Sequence, residues 1–221
     1  MNTMNTMENM KKRNSLNSLS PQQLKTLRDI KDFLNLSESQ IIEHIYSGNE
    51  VLFKSDIRYL IEKGVLAKIR SARAYYITKM GSWIVSGLTG DALIYNRVVR
   101  SKFQELSHDM FIYSAFKHLE NQLKSEGKTI TNYKAIRQMK AENMKIYGKT
   151  HTVYPNLYVE YVNEGTGQKK CINIVISLSS ADAEILKKST LPNVVWYTQR
   201  ESQKSKILQL IENANVNVIQ K

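Results

Sequence analysis

Between Ser20 and Gly81 the apolar residues change period, and that change constrains the fold of this 221-residue chain more than any other feature. Leu24, Leu27, Ile30, Phe33 and Leu34 recur at helical spacing behind Ser20 and Pro21. Proline suits a helical first turn, where its missing N–H leaves nothing unpaired. Ser37 stands before Glu38 and Gln40 with the spacing of a capping box. Ile41, Ile42 and Ile45 then give a second helix of about three turns one apolar face, closed by Gly48. A third helix is expected over NEVLFKSDIRYLIEKGVL, with Ile57, Leu60 and Ile61 toward its neighbours and Gly64 as its stop. Lys54, Ser55, Arg58 and Tyr59 fall on its other face.

After Gly64 the period drops to two. In AKIRSARAYYIT, Ile69, Tyr75 and Ile77 alternate with polar positions around a Ser-Ala-Arg turn, while Lys68, Arg70 and Arg73 crowd the tip. Three helices followed by a basic two-stranded ribbon form the layout of a winged helix-turn-helix. A major groove accepts one α-helix, so Lys54, Ser55, Arg58 and Tyr59 are the expected base and phosphate contacts, with Lys68, Arg70 and Arg73 on the neighbouring phosphates. The formal net charge of +12 agrees with a polyanionic partner, and the surplus is greatest over residues 91–150. Charge alone leaves the kind of polyanion open.

With 42% apolar residues the chain can bury a core, and no apolar run approaches the ~20 residues a membrane-spanning helix needs. The start lacks the apolar segment of a signal peptide, so a soluble, cytoplasmic protein with no membrane association is expected. Residues 1–19 repeat Met-Asn-Thr and read as a disordered arm whose Lys11, Lys12 and Arg13 serve mainly solubility. The lone Cys171 excludes an internal disulfide and reads as a core thiol. His44, His108, His118 and His151 have no zinc-like spacing with it.

The expected domains are 20–86 for the winged helix, 87–106 for a helical connector broken at Gly87 and Gly90, and 107–221 for an α/β domain. Met110, Ile112, Tyr113, Phe116, Leu119 and Leu123 form a stripe for a sheet or a second subunit to cover. Lys134, Arg137, Lys140 and Lys145 are expected along one helix face. From His151 the pattern is strand-like in TVYPNLYVEYV and KKCINIVISL, with the glycine turn EGTGQ between them. A short helix capped by Ser179 or Ser180, the strand NVVWYT, a helix over ESQKSKILQLIENA and a strand VNVI complete the chain, and TITNY supplies an irregular first strand. The fold class is therefore α+β, a winged helix followed by a small α/β domain of restriction-endonuclease-like type.

LIEKGVLAKI and AYYITKMG in the first half, then SHDMFIYSAF, YPNLYVEY, INIVISLSS and NVVWYTQRESQKSKILQLI in the second, resemble the replication-relaxation family and the plasmid-mobilisation relaxases related to it. The resemblance implies an N-terminal winged helix joined to a PD-(D/E)XK nuclease-like domain, in which carboxylates on adjacent strands hold a divalent metal. Here Pro155 is followed by Asn156, and the strand that bears acids in the family reads Ile172, Asn173, Ile174, Val175. Neutral amides bind Mg²⁺ far more weakly than carboxylates, so the domain is expected to lack catalysis, metal and cofactor. An active version would have to draw on His108 beside Asp109, Glu160, Glu184 and Lys187 or Lys188, with Mg²⁺. The resulting expectation is a double-stranded DNA-binding homodimer of a mobile element, acting in mobilisation, replication or transcription control, with mobilisation or replication proteins as possible partners. Two other readings stay open: a metal-dependent nickase, and a protein-interaction adaptor.

Overall fold

The computed structural model describes residues 19–89, 103–141, 153–178 and 181–220. The chain divides into two compact units, Met1–Asp109 and Met110–Lys221. The first orders its elements as helix α1 (Pro21–Phe33), strand β1 (Asn35–Ser37), α2 (Glu38–His44), α3 (Glu50–Glu62), β2 (Leu66–Ile69), β3 (Ala74–Ile77) and α4 (Lys79–Thr89). The 23-residue α5 (Phe103–Ser125) holds the boundary between the units.

The capping box expected at Ser37 forms, and Ser20 forms another at the start of α1. The Ser20 hydroxyl accepts from the Gln23 backbone N–H while the Gln23 side chain returns a bond to the Ser20 N–H, and Ser37 and Gln40 repeat the arrangement at α2. Gly64, at φ +72°, lets the chain leave α3 directly into β2. The strands pair antiparallel in the order β1-β3-β2, and a single 3₁₀ turn at Arg70–Ala72 joins β2 to β3 with Arg73 at φ +45°. Leu27, Ile30, Leu36, Ile41, Leu60 and Leu66 are sealed between helices and ribbon. Phe53 stands edge-on to both Tyr46 and Tyr75, with centroids 5.8 and 6.1 Å away. Each such burial is worth roughly 1.5–3 kcal/mol, so α3 is held by its inner face alone.

Thr78 locks α4 to the ribbon. Its hydroxyl donates to the Gly64 carbonyl at 2.7 Å and accepts from the Gly81 N–H at 3.1 Å. Gly81 packs so closely that a methyl group there would overlap the Val65 carbonyl oxygen.

The second unit carries β4 (Lys128–Ala135), α6 (Ile136–Ala141), β5 (Leu157–Asn163), β6 (Lys169–Ile176), α7 (Asp182–Lys188), β7 (Val194–Thr198), α8 (Glu201–Leu210) and β8 (Asn215–Val218). Its five-stranded sheet runs β4-β5-β6-β7-β8, antiparallel through β6 and parallel from β6 to β8. One face receives α5: Phe116 meets Tyr133 of β4 with ring centroids 4.7 Å apart, and His118 meets Tyr197 of β7. On the other, Val175 and Trp196 pack with Ile185 of α7 and Ile207 of α8. Mixed α+β architecture is thus observed in both halves.

Several expectations need correction. Ile61 is exposed rather than turned inward, because α3's buried arc is occupied by Phe53, Asp56, Ile57 and Leu60. α2 stops at His44, short of three turns. α4 runs through Gly87 unbroken, and glycine costs a helix only about 1 kcal/mol there. Lys134 lies on β4, whereas Arg137 and Lys140 lie on α6, so Lys134 does not share their helix. The N-cap of α7 is Ala181, without a side-chain bond. Cys171 is half-buried at the open part of β6, not in the core. Of the two covers expected for the apolar stripe of α5, the structure shows the sheet of the second unit, with Met110 only half-buried. The arm 1–18, Gly90, Lys145, His151, Ser179, Ser180 and the Arg137 side chain lie outside the described residues.

Candidate nucleic-acid interface

A continuous stripe of α3 faces solvent. Val51, Lys54, Ser55 and Arg58 are exposed and Tyr59 is half-buried, so the four residues expected from the sequence do lie together. They differ in availability. The Lys54 ammonium bonds Glu50 at 2.8 Å, one turn earlier on α3, and that carboxylate raises its pKa. Tyr59 has the Lys63 ammonium 5.4 Å from its ring centroid. Among the described residues Arg58 has no acidic partner, and neither does Arg70.

The ribbon's cations divide the same way. Lys68 bonds Glu38 at 3.0 Å, and its ammonium lies 5.1 Å from the Tyr75 ring centroid. The Tyr75 hydroxyl also donates to Glu38, at 3.2 Å. The Tyr75 hydroxyl and the Glu38 carboxylate together raise the Lys68 pKa, whereas the Lys68 ammonium, aided by Tyr75 and Arg73, draws the Glu38 carboxyl below its usual range. Burial pushes the Tyr75 hydroxyl up. Lys68 is therefore spent in part on the domain itself, and Arg70 and Arg73 remain as exposed cations at the turn. Nothing in the sequence marks Glu38 as the partner of Lys68, since the two are 30 residues apart and no spacing signal connects them.

Beneath α3 a buried carboxylate fixes the helix. Asp56 accepts from the Tyr46 hydroxyl at 3.0 Å and from the Gln23 side chain at 2.8 Å, tying α3 to α1 and to the α2–α3 turn. Burial, with Asp56 adjoining, pushes the Tyr46 hydroxyl well above its usual range, so it stays a donor. Two donors to one buried acid make the outer stripe a rigid presentation.

In the second unit the residues an active nuclease would need are dispersed. Asn156 precedes β5 and is buried; its carboxamide oxygen accepts from the Ile176 N–H at 2.9 Å, and its own N–H donates to the Ile174 carbonyl. Glu160 lies opposite Cys171 and accepts from Tyr158 at 3.1 Å and from Asn132 at 3.3 Å. Burial, then Cys171 and Glu160, pushes the Tyr158 hydroxyl far up and keeps its proton in place. Glu184 pairs with Lys188 on α7 at 3.0 Å, and Lys187 is exposed. No hydrogen bond or ion pair joins Glu160 to Glu184 or Lys187 among the described residues. His108 stands 4.0 Å from Asp109, which accepts from Asn35 at 3.2 Å in the first unit. Among the described residues no three His, Cys, Asp or Glu side chains gather where they could hold a metal ion, and no helix is long and apolar enough to cross a membrane.

Comparison with family models, with curated proteins and with solved structures gives no match for this chain.

Proposed function

We propose that the first unit is a winged helix that binds double-stranded DNA. α3 enters the major groove, and Arg70 and Arg73 of the ribbon take the flanking phosphates. The observation that carries this reading is the exposed α3 stripe on which Arg58 has no acidic partner among the described residues, next in chain order to a ribbon whose turn adds two further exposed arginines. Guanidinium groups suit both tasks, because their planar fork matches the guanine edge and the phosphate alike.

The second unit fits a nuclease-like domain without catalysis. Its mixed sheet between α5 and the α7–α8 pair suits such a core. At the position where the family resemblance implies an aspartate, Asn156 supplies a neutral oxygen already used by the Ile176 amide. By that resemblance the protein serves a mobile element, as a homodimer in mobilisation, replication or transcription control.

The deciding experiment titrates the protein into short duplexes and supercoiled plasmid across a salt series, with and without Mn²⁺. Salt-sensitive duplex binding without nicking is the expected result. A metal-dependent nick overturns the silent second domain, and absence of duplex binding at low salt overturns the DNA reading.

A further inference from the structure

The most exposed apolar side chain recorded in the first unit is Val51, at 81% exposure, in the first turn of α3. It adds nothing to the core. A β-branched residue is also a weak choice for an exposed helix position, so neither packing nor propensity accounts for it. Its position is informative. Val51, Ser55 and Arg58 follow one another at i, i+4 and i+7 along the same exposed stripe, the one that faces the duplex in the reading above. The thymine methyl is the apolar group that a major groove presents on a base edge, and the bidentate acceptor pair on guanine is the usual target of a free guanidinium.

We propose, resting on that reading, that Val51 and Arg58 determine sequence choice: Val51 packs on a thymine methyl and Arg58 bonds a guanine edge. Seven residues of α-helix advance about 10.5 Å, and successive base pairs lie about 3.4 Å apart, so the two bases are about three base pairs apart where α3 follows the groove.

The test begins with selection of binding sites from a random duplex pool by the full chain. Enrichment of a thymine and a guanine about three base pairs apart is expected. Replacing that thymine by uracil, which deletes only the methyl, should weaken binding by about fourfold. Val51→Ala should weaken the thymine duplex by a similar factor and make the protein indifferent to the uracil exchange. Arg58→Ala should abolish preference at the guanine while retaining the thymine preference. Both side chains lie on the exposed stripe, so circular dichroism and thermal melting should match the parent. A selected site whose binding is unchanged by uracil, or one in which Val51→Ala retains full methyl sensitivity, overturns this assignment while leaving DNA binding intact. A pool that yields no preferred sequence does the same. Failure to bind any duplex overturns the DNA reading itself.

Discussion

The two units treat their polar residues in opposite ways. On α3 and the ribbon turn of the first unit, Arg58 and Arg70 lie at the surface with no acidic partner among the described residues. In the second unit the conspicuous amides are buried: Asn156 completes the start of β5, and Asn173, 1% exposed on β6, donates to the Pro192 carbonyl at 2.6 Å while its own side-chain oxygen has no hydrogen-bond partner among the described residues. A polar residue in a suggestive place is a binding group only when the fold leaves it unsatisfied. Among the described residues Arg58 and Arg70 meet that condition, and Asn156, whose side-chain oxygen is taken by the Ile176 amide, does not.

The largest expected effect falls on the first unit. Arg58→Ala with Arg73→Ala should cost about 1–3 kcal/mol of DNA affinity through Arg58 alone and reduce the logarithmic salt slope by about one to two units. Fluorescence anisotropy across a salt series measures both, and an unchanged slope would remove these residues from the interface. Next comes Asn156→Ala, which strips the Ile176 N–H of its acceptor and should destabilise the protein by about 1–3 kcal/mol in urea unfolding. Asn156→Asp retains the acceptor and should give no nicking with Mn²⁺; cleavage by that variant would break the contrast drawn above. Tyr46→Phe leaves Asp56 with one donor fewer and should also lower stability by about 1–3 kcal/mol, measured in the same way.

The smallest effect belongs to Glu38→Gln, whose exposed partner makes the pair worth less than about 1 kcal/mol to folding. Freed of its acid, Lys68 should join the phosphate contacts, tightening DNA binding and steepening the salt slope by up to about one unit. The pH dependence has two ends. Glu38's folded pKa is lowered, so its contribution holds above the ordinary value of 4.5 and disappears as pH falls through the folded value. Lys68's is raised, so its contribution holds below the ordinary 10.5 and is lost as pH rises through the folded value. Melting curves of Glu38→Gln should show less of both losses than the parent.

The legible parts of the chain are those written locally. Ser20 with Gln23, Ser37 with Gln40, and Gly64 at positive φ signal their turns within four residues, and the structure has each. β1 escaped notice because three residues cannot display a period. Ile61 misled because helical spacing gives the direction of an apolar face but not the width of the arc its neighbours cover. The shared exposed stripe of α3 was legible in the sequence, and the pairing of its cations was not: Lys54's acid stands one turn away and was open to reading, whereas Lys68's comes from another element. Val51 was passed over because an apolar residue in a helix reads by default as core.

The Thr78–Gly81 lock bears on how this module can be moved into another protein. The ribbon is anchored from behind by α4, whose Ser82 and Val85 are fully buried. A transplant cut at the last ribbon residue would carry the exposed basic turn but leave its brace behind, and any larger side chain at Gly81 would pry the two apart. The natural seam for grafting lies beyond α4.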